Sequence, residues 1–141
     1  MYLRSWYPEK QFDFKQLFFL NTLINIQIVQ NATLSDWYNP HVHHEITKGA
    51  KICIDSLSST PALARMAGGP LVRRMLENVA LKMNNVNKRK IHLFSGHEFT
   101  VYAVAKAHSV TLNHSPAFSL AVLHETYRDD RGNAFVKMFY W

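Results

Sequence analysis

A short apolar run that passes directly into a helical pattern constrains the fold of this chain most. Residues 91–94 read Ile-His-Leu-Phe, Ser95 and Gly96 end the run, and residues 98–108 are rich in valine and alanine, as a helix would be. An apolar run of this length that ends at turn residues predicts a buried strand. The pattern therefore predicts a strand, a short loop and a helix in direct succession.

Three helical patterns precede this unit and two strand patterns follow it. Residues 11–30 predict a largely buried helix, and residues 40–57 predict a second helix with one apolar face. Gly68 and Gly69 predict a tight turn, after which Pro70 suits the first position of a third helix that runs to Asn84. Residues 118–127 and 134–140 predict two strands that a turn joins into a hairpin.

Composition limits the classes of protein to which the chain can belong. With 141 residues, of which 48% are hydrophobic, the chain has the size and apolar content of one globular domain. The net charge of +6 suits an anionic ligand such as a phosphate ester. The densest basic run, residues 88–90, is short and lacks flanking aromatics, so it predicts a solvated turn and no nucleic-acid partner. We expect neither a signal peptide nor a transmembrane segment in these residues.

Two residues bear on the cellular compartment. Cys53 is the one cysteine of the sequence. Its disulfide partner lies outside the chain, or it is a small buried hydrophobic side chain, and we favour the second interpretation. Residues 31–33, Asn-Ala-Thr, form an N-glycosylation sequon at Asn31, which would require exposure in a secreted protein.

His97 and Glu98 are the candidate catalytic residues. A loop that leaves the carboxyl end of a strand lies where α/β sheets bind ligands, and the helix beyond it presents positive potential to an anion. His97 is placed to hold a phosphate oxygen, and Glu98 to deliver a proton to a leaving alcohol. We expect the helix dipole to lower the pKa of Glu98 and so to favour activity in acid. On these residues alone the alternative stays open that Glu98 only complements the dipole and His97 caps the helix.

A histidine cluster near the start of the second helix offers a competing interpretation as a metal or interaction module. It comprises His41, His43, His44 and Glu45. On a helix only His41 with His44 or Glu45 would share one face, and no matching Cys or His group lies nearby in sequence. We therefore favour a solvated, histidine-rich helix start and expect no metal ion and no cofactor.

Four segments resemble the histidine acid phosphatases, in the order that family has them. Residues 95–98, Ser-Gly-His-Glu, with Thr100 resemble its second signature, Ser-Ala-His-Asp followed by a threonine. Residues 34–37 are similar to its Leu-Pro-Glu-Trp segment. Residues 66–72, with 77–78, are similar to its Gly-Gly-Pro-Leu stretch, which precedes a long helix. Residues 115–125 are similar to a segment in which a proline, an aromatic residue and a serine precede an apolar strand that ends in Glu-Leu. The resemblance extends over roughly residues 19–140.

The resemblance implies an α/β fold of the phosphoglycerate-mutase type that is incomplete. Residues from about 11 to 60 would belong to a helical side domain, and those from about 61 to 141 to the α/β core. The family's nucleophilic motif, Arg-His-Gly-x-Arg-x-Pro, is absent, since the sequence contains no Arg-His pair. The family's further phosphate-binding arginine has no matching position either. Two roles carry over: phosphate ligand for His97, and proton donor for Glu98 in place of the commoner aspartate.

The function that the resemblance implies is hydrolysis of phosphomonoesters in acid, for which this chain supplies His97 and Glu98 but no nucleophile. The alternative is a catalytically inactive relative that binds phosphate or a protein. The family suggests a secreted, lysosomal or membrane-anchored protein. Because the strand that carries the nucleophile is missing, we expect an exposed sheet edge through which the chain self-associates.

Overall fold

The computed structural model describes residues 5–6, 13–114 and 117–141. The chain divides into two compact units, of which the first ends at Leu57 and the second begins at Ser58. The first unit contains helices α1 (Phe14–Val29) and α2 (Pro40–Ser56); the second contains α3 (Pro61–Met83), α4 (Glu98–Ala107) and strands β1 (Val122–Arg128) and β2 (Ala134–Tyr140). Residues 11, 12, 115 and 116, which the sequence patterns include, lie outside the described residues. The assignment of the two halves to a side domain and a core stays a prediction.

Helix α1 begins at a reciprocal cap. The Gln16 N–H donates to Asp13 Oδ1 at 2.7 Å, and the Asp13 N–H donates to Gln16 Oε1 at 3.0 Å. This capping box satisfies two backbone donors that a helix start leaves unpaired. The prediction that this helix is largely buried is wrong, because one side of it carries exposed apolar residues such as Phe19 and Leu23. An apolar pattern dense on all sides predicts burial on all sides, whereas one neighbouring helix covers one side only.

The core of the first unit lies between α1 and α2. It is built around Ile24, Trp37 and Ile46, which are buried. The buried Asn21 accepts a hydrogen bond from Thr47 Oγ1 at 2.8 Å, which satisfies a polar atom that would otherwise destabilise this interface. The predicted second helix is confirmed at α2, whose first residue, Pro40, follows the capping Asn39.

Helix α3 shows that the predicted turn at Gly68 and Gly69 is wrong. The helix starts earlier, at Pro61 after the capping Thr60, and continues through both glycines and Pro70 without a break. A proline inside a helix removes one backbone hydrogen bond but does not abolish the helix when tertiary packing supports it. That packing is given by Gly68, since a Cβ built there would lie 2.1 Å from the Ala103 carbonyl oxygen of α4. The glycine therefore permits close approach of two helices and makes no turn.

The predicted buried strand at residues 91–94 is also wrong. These residues belong to no sheet and no helix, and Ile91 and Leu93 are 73% and 92% exposed. The backbone N–H and C=O groups of a strand find hydrogen-bond partners on a neighbouring strand. The backbone of residues 91–96 makes no hydrogen bond with any residue that the structure describes. Burial of these side chains would depend on a partner strand, and the described residues supply none.

The predicted hairpin is confirmed, although its first strand starts at Val122 and not at residue 118. β1 and β2 are antiparallel, with Leu123 opposite Phe139 and His124 opposite Met138. Asp129 holds the turn, since its Oδ1 accepts the N–H of Asn133 at 2.7 Å. Among the residues described, helices thus predominate and the sheet has two strands. Across those same ranges no helix is long and apolar enough to cross a bilayer.

Candidate active site

His97 and Glu98 lie side by side where the loop of residues 91–97 enters α4. His97 is the residue before the first helical turn and has an extended backbone, with φ −105° and ψ 169°. Its side chain is exposed, whereas Glu98, the first residue of the helix, is half-buried. An exposed imidazole beside a half-buried carboxyl at the positive end of a helix suits the holding of an anion and the transfer of a proton to it.

Thr100 supports this arrangement, a role that the sequence analysis missed. Its Oγ1 accepts a hydrogen bond from the His97 N–H at 3.2 Å. Its side chain also lies over Gly96, where a Cβ would come within 3.0 Å of Thr100 Cβ and Cγ2. The available signal was the spacing, because a hydroxyl three residues after the capping position can close the first turn of a helix.

The electrostatics of Glu98 differ from the prediction. Partial burial raises the pKa of the Glu98 carboxyl, and the neighbouring His97 offsets part of that rise. The expectation that the helix dipole would lower this pKa is wrong, because loss of hydration disfavours the carboxylate more than the positive surroundings favour it. A raised pKa keeps the carboxyl protonated to higher pH, which is the state that a proton donor requires.

The histidine cluster of α2 does not converge on one point. Glu45 pairs with Lys48 at 2.7 Å, and the His43 ring packs against Tyr38, with centroids 5.8 Å apart. Burial lowers the pKa of His43. Residues 5–6, 13–114 and 117–141 contain no group of three or more histidine, cysteine or acidic side chains that could hold a metal ion.

Two further predicted positions can be located. Asn31 is exposed directly after α1 and has a left-handed backbone with φ 52°, which asparagine tolerates better than most residues. Cys53 is half-buried, where a buried side chain was favoured. Glycosylation of Asn31 stays a prediction, and a disulfide partner outside the chain stays the open alternative for Cys53.

Comparison with known proteins identifies the relatives of the chain. It is 30% identical to the venom acid phosphatase Acph-1 of Apis mellifera over 112 residues, which are 77% of this chain and 29% of that protein. It is 28% identical to the prostatic acid phosphatase of Rattus norvegicus over 115 residues, 79% of this chain and 30% of that enzyme. The chain is a homologue of the acid phosphatases. The lysosomal acid phosphatase of Xenopus laevis is similar over a shorter stretch of 78 residues, at 32% identity, 55% of this chain and 18% of that protein.

These comparisons confirm the resemblance predicted from the sequence motifs. No family model matches the chain. The chain spans about three tenths of the length of the venom and prostatic acid phosphatases that it matches. The roles of His97 and Glu98 stay predictions.

Proposed function

We propose that this chain forms part of a phosphomonoester hydrolase of the acid phosphatase type, with the histidine phosphatase fold. His97 binds a phosphate oxygen of the substrate, and Glu98 donates its proton to the oxygen of the leaving alcohol. The observation that carries the proposal is the half-buried Glu98 with its raised pKa, directly after His97 at the first turn of α4. The homology to acid phosphatases gives the reaction class.

The chemistry assigned to Glu98 matches what the reaction needs. When a nucleophile attacks phosphorus, the bond to the alkoxy oxygen breaks, and that oxygen takes up a proton more easily than it leaves as an alkoxide. A carboxyl that stays protonated near the working pH contributes about 10²–10⁴-fold to such a step. The positive end of α4 and the His97 imidazole stabilise the charge on the phosphoryl oxygens.

The nucleophile does not come from this chain in the proposed mechanism. The sequence contains no Arg-His pair, and so no Arg-His-Gly setting in which a histidine would be activated. The same observation favours a second candidate function, a catalytically inactive relative that binds phosphate or a partner protein. Relatives named as venom, prostatic and lysosomal enzymes support a secreted or lysosomal protein. The Asn-Ala-Thr sequon and the exposure of Asn31 support glycosylation at that residue.

Two measurements on the purified chain separate phosphate binding from phosphatase turnover. Purified chain incubated with p-nitrophenyl phosphate at acid pH should release no nitrophenol above the blank. Inorganic phosphate titrated under NMR observation should shift the His97 ring resonances with about millimolar affinity, on the order of 4 kcal/mol. His97→Ala should abolish the response of the neighbouring Phe99 and Thr100 amides.

His44→Ala is the matched control, because His44 is an exposed histidine in the other unit. It should leave phosphate binding at α4 unchanged. Absence of any phosphate-induced shift at His97, or equal loss of binding in both variants, would remove His97 from the phosphate site. A burst of nitrophenol with phosphate trapped on a histidine would show instead that the chain carries its own nucleophile.

A further inference from the structure

Two histidines meet where the C-terminal end of α4 faces the hairpin. His108 is the residue that caps α4, and His124 lies in β1. The centroids of their rings are 4.7 Å apart, and the ring planes are tilted by 52°. Further along β1, the Arg128 guanidinium donates to Met83 Sδ of α3 at 3.8 Å. The histidine pair thus links the hairpin to α4 at one end of the strand.

The last turn of α4 fixes the position of His108. The Val110 N–H donates to the Ala105 carbonyl oxygen at 2.9 Å. The Ser109 N–H donates to the Lys106 carbonyl oxygen, also at 2.9 Å. Ser109 has a left-handed backbone with φ 61°, as the residue after a helix cap has in a Schellman motif. Because this turn is closed, separation of the two rings requires movement of the hairpin.

Each of the two rings has one buried nitrogen without a hydrogen bond. The Nε2 atoms of His108 and His124 are closed off from water and have no partner among the residues that the structure describes. A neutral imidazole keeps one nitrogen unprotonated, and that nitrogen can lie here without burying a donor or a charge. An imidazolium carries an N–H on both nitrogens, so protonation would bury an unpaired donor together with a charge. The geometry therefore favours two uncharged rings.

The hairpin offers this pair no compensating charge. Met138 of β2 lies opposite His124. Glu125 and Lys137 oppose each other at the next position, and because side chains alternate along a strand, they belong to the other face of the hairpin. Lys137 lies over the Tyr127 ring of that face, 4.8 Å from its centroid.

The neighbouring groups of α4 and of the loop after it carry or gain positive charge. Lys106 lies over the Tyr102 ring, 5.5 Å from its centroid. His114 packs against Tyr140 of β2, with ring centroids 5.5 Å apart. Glu98 is the one acidic residue of α4, and it lies at the opposite end of the helix. A proton taken up by the pair therefore meets cationic neighbours.

The two histidines also oppose each other's protonation. Burial, and to a smaller extent His108, lowers the pKa of His124, and no carboxylate of the described residues offsets this. Protons on both residues would place like charges on adjacent rings. Ionisable groups this close titrate as a coupled pair.

We propose that His108 and His124 form an acid-operated clasp, which ties the hairpin to the end of α4 while it is uncharged and releases the hairpin once it is protonated. The packing of α4 against α3 persists, because the buried residues of α4, Tyr102, Val104 and Ala105, take up no proton in acid. The clasp uses neither catalytic candidate and so goes beyond the proposed phosphatase role.

Residue-resolved hydrogen exchange of the unaltered chain between pH 7 and pH 5.5 tests the release. A two-stranded hairpin alone is marginally stable in water, so release should lower the protection factors of the β1–β2 ladder. The expected loss is about tenfold, the effect of one additional bound proton over one pH unit. The amides of Tyr102, Val104 and Ala105 should keep their protection. Loss of protection in helix and hairpin together, or no loss in the hairpin, would overturn the proposal.

Titration of the histidine rings in NMR spectra gives an independent measurement. His124 should titrate with a midpoint below that of the exposed His44, and the cross-peak between the His108 and His124 rings should vanish with the same midpoint. A midpoint for His124 at or above that of His44 would contradict the clasp. Neither measurement uses a phosphate ester, so the result does not depend on the phosphatase proposal.

Glutamine variants show whether the pair itself responds to acid. His124→Gln and His108→Gln each keep a polar side chain that cannot become charged, and each should remove the pH dependence of hairpin protection. His114→Gln is the matched control, because it removes a histidine that contacts the hairpin outside the clasp. It should retain the pH dependence of the unaltered chain. Equal flattening by all three variants would indicate general charge repulsion and overturn the proposal.

Discussion

The two flanks of the His97–Glu98 pair differ sharply in how the protein supports them. Downstream, α4 buries Tyr102, Val104 and Ala105 and packs against α3. Upstream, the equally apolar residues 91–94 stand largely in solvent. The difference is one of backbone chemistry, because a helix satisfies its hydrogen bonds within itself and needs only one packing face, whereas an extended segment needs a neighbouring strand. Support for the site therefore comes from the helical side.

The strongest test of the packed flank is the close approach at Gly68. A Cβ there would meet the Ala103 carbonyl oxygen at 2.1 Å, so Gly68→Ala must push α4 away from α3. We expect the free energy of unfolding to fall by about 1–3 kcal/mol, since backbone atoms yield less than side chains. Chemical denaturation followed by circular dichroism measures it.

Gly69→Ala is the matched control. The atom nearest to a Cβ at that position is Arg65 Cγ at 3.6 Å, an ordinary contact. The substitution should therefore stabilise the helix by about 0.5–1 kcal/mol through propensity alone. Equal effects of the two alanines would mean that α3 and α4 do not touch at Gly68.

A second pair of substitutions compares the flanks directly. Val104 is 2% exposed in α4 and Leu93 is 92% exposed in the upstream segment. Val104→Ala should cost about 2 kcal/mol, from lost apolar burial and the cavity left behind. Leu93→Ala should change the free energy of unfolding by no more than about 0.5 kcal/mol. A comparable cost at Leu93 would show that the upstream segment is packed in solution.

The same contrast separates what the sequence could predict from what it could not. The bounds of α2 and α4 follow from local signals, such as Asn39 before Pro40 and the alanine-rich run after Glu98. The burial of residues 91–94 depends on a partner strand, which no local pattern encodes. The continuation of α3 through Gly68 depends on Ala103, which lies 35 positions further along the chain. His97 and Glu98 could be chosen from their motif, but the direction of the pKa shift required knowledge of how far Glu98 is buried.

The support that Thr100 gives to His97 is worth less than the helix packing. Thr100→Val keeps the shape of the side chain but removes the oxygen that accepts the His97 N–H at 3.2 Å. We expect a loss of about 1 kcal/mol in the free energy of unfolding. Thr100→Ser retains the hydroxyl and should lose clearly less. If valine were tolerated as well as serine, the hydrogen bond would contribute nothing to the first turn of α4.

At the far end of α4, His124 of the hairpin makes the chain sensitive to acid. Its ring lies against that of His108, with centroids 4.7 Å apart. Burial, and to a smaller extent the charge of His108, lowers the pKa of His124 below its usual 6.5. The folded state then binds fewer protons than the unfolded state. The contribution of His124 to stability is complete above pH 6.5 and is lost as the pH falls through the folded-state pKa. His124→Gln should flatten this loss in urea unfolding measured between neutral and acid pH, and an unchanged slope would contradict the burial of the ring.

Glu98 should show the opposite dependence on pH, with a smaller effect because His97 offsets part of its pKa shift, whereas burial and His108 both lower the pKa of His124. Its pKa is raised above the usual 4.5 in the folded state, so the folded chain holds the proton more tightly than the unfolded chain does. The corresponding stability is complete below pH 4.5 and is lost as the pH rises through the folded-state pKa. Glu98→Gln, which cannot ionise, should abolish this loss and leave the His124 transition in place. NMR titration of the Glu98 carboxyl carbon gives the same pKa directly. A midpoint below the usual value would mean that the helix dipole outweighs burial after all, and Glu98 would then be ionised in the pH range where a proton donor must keep its proton.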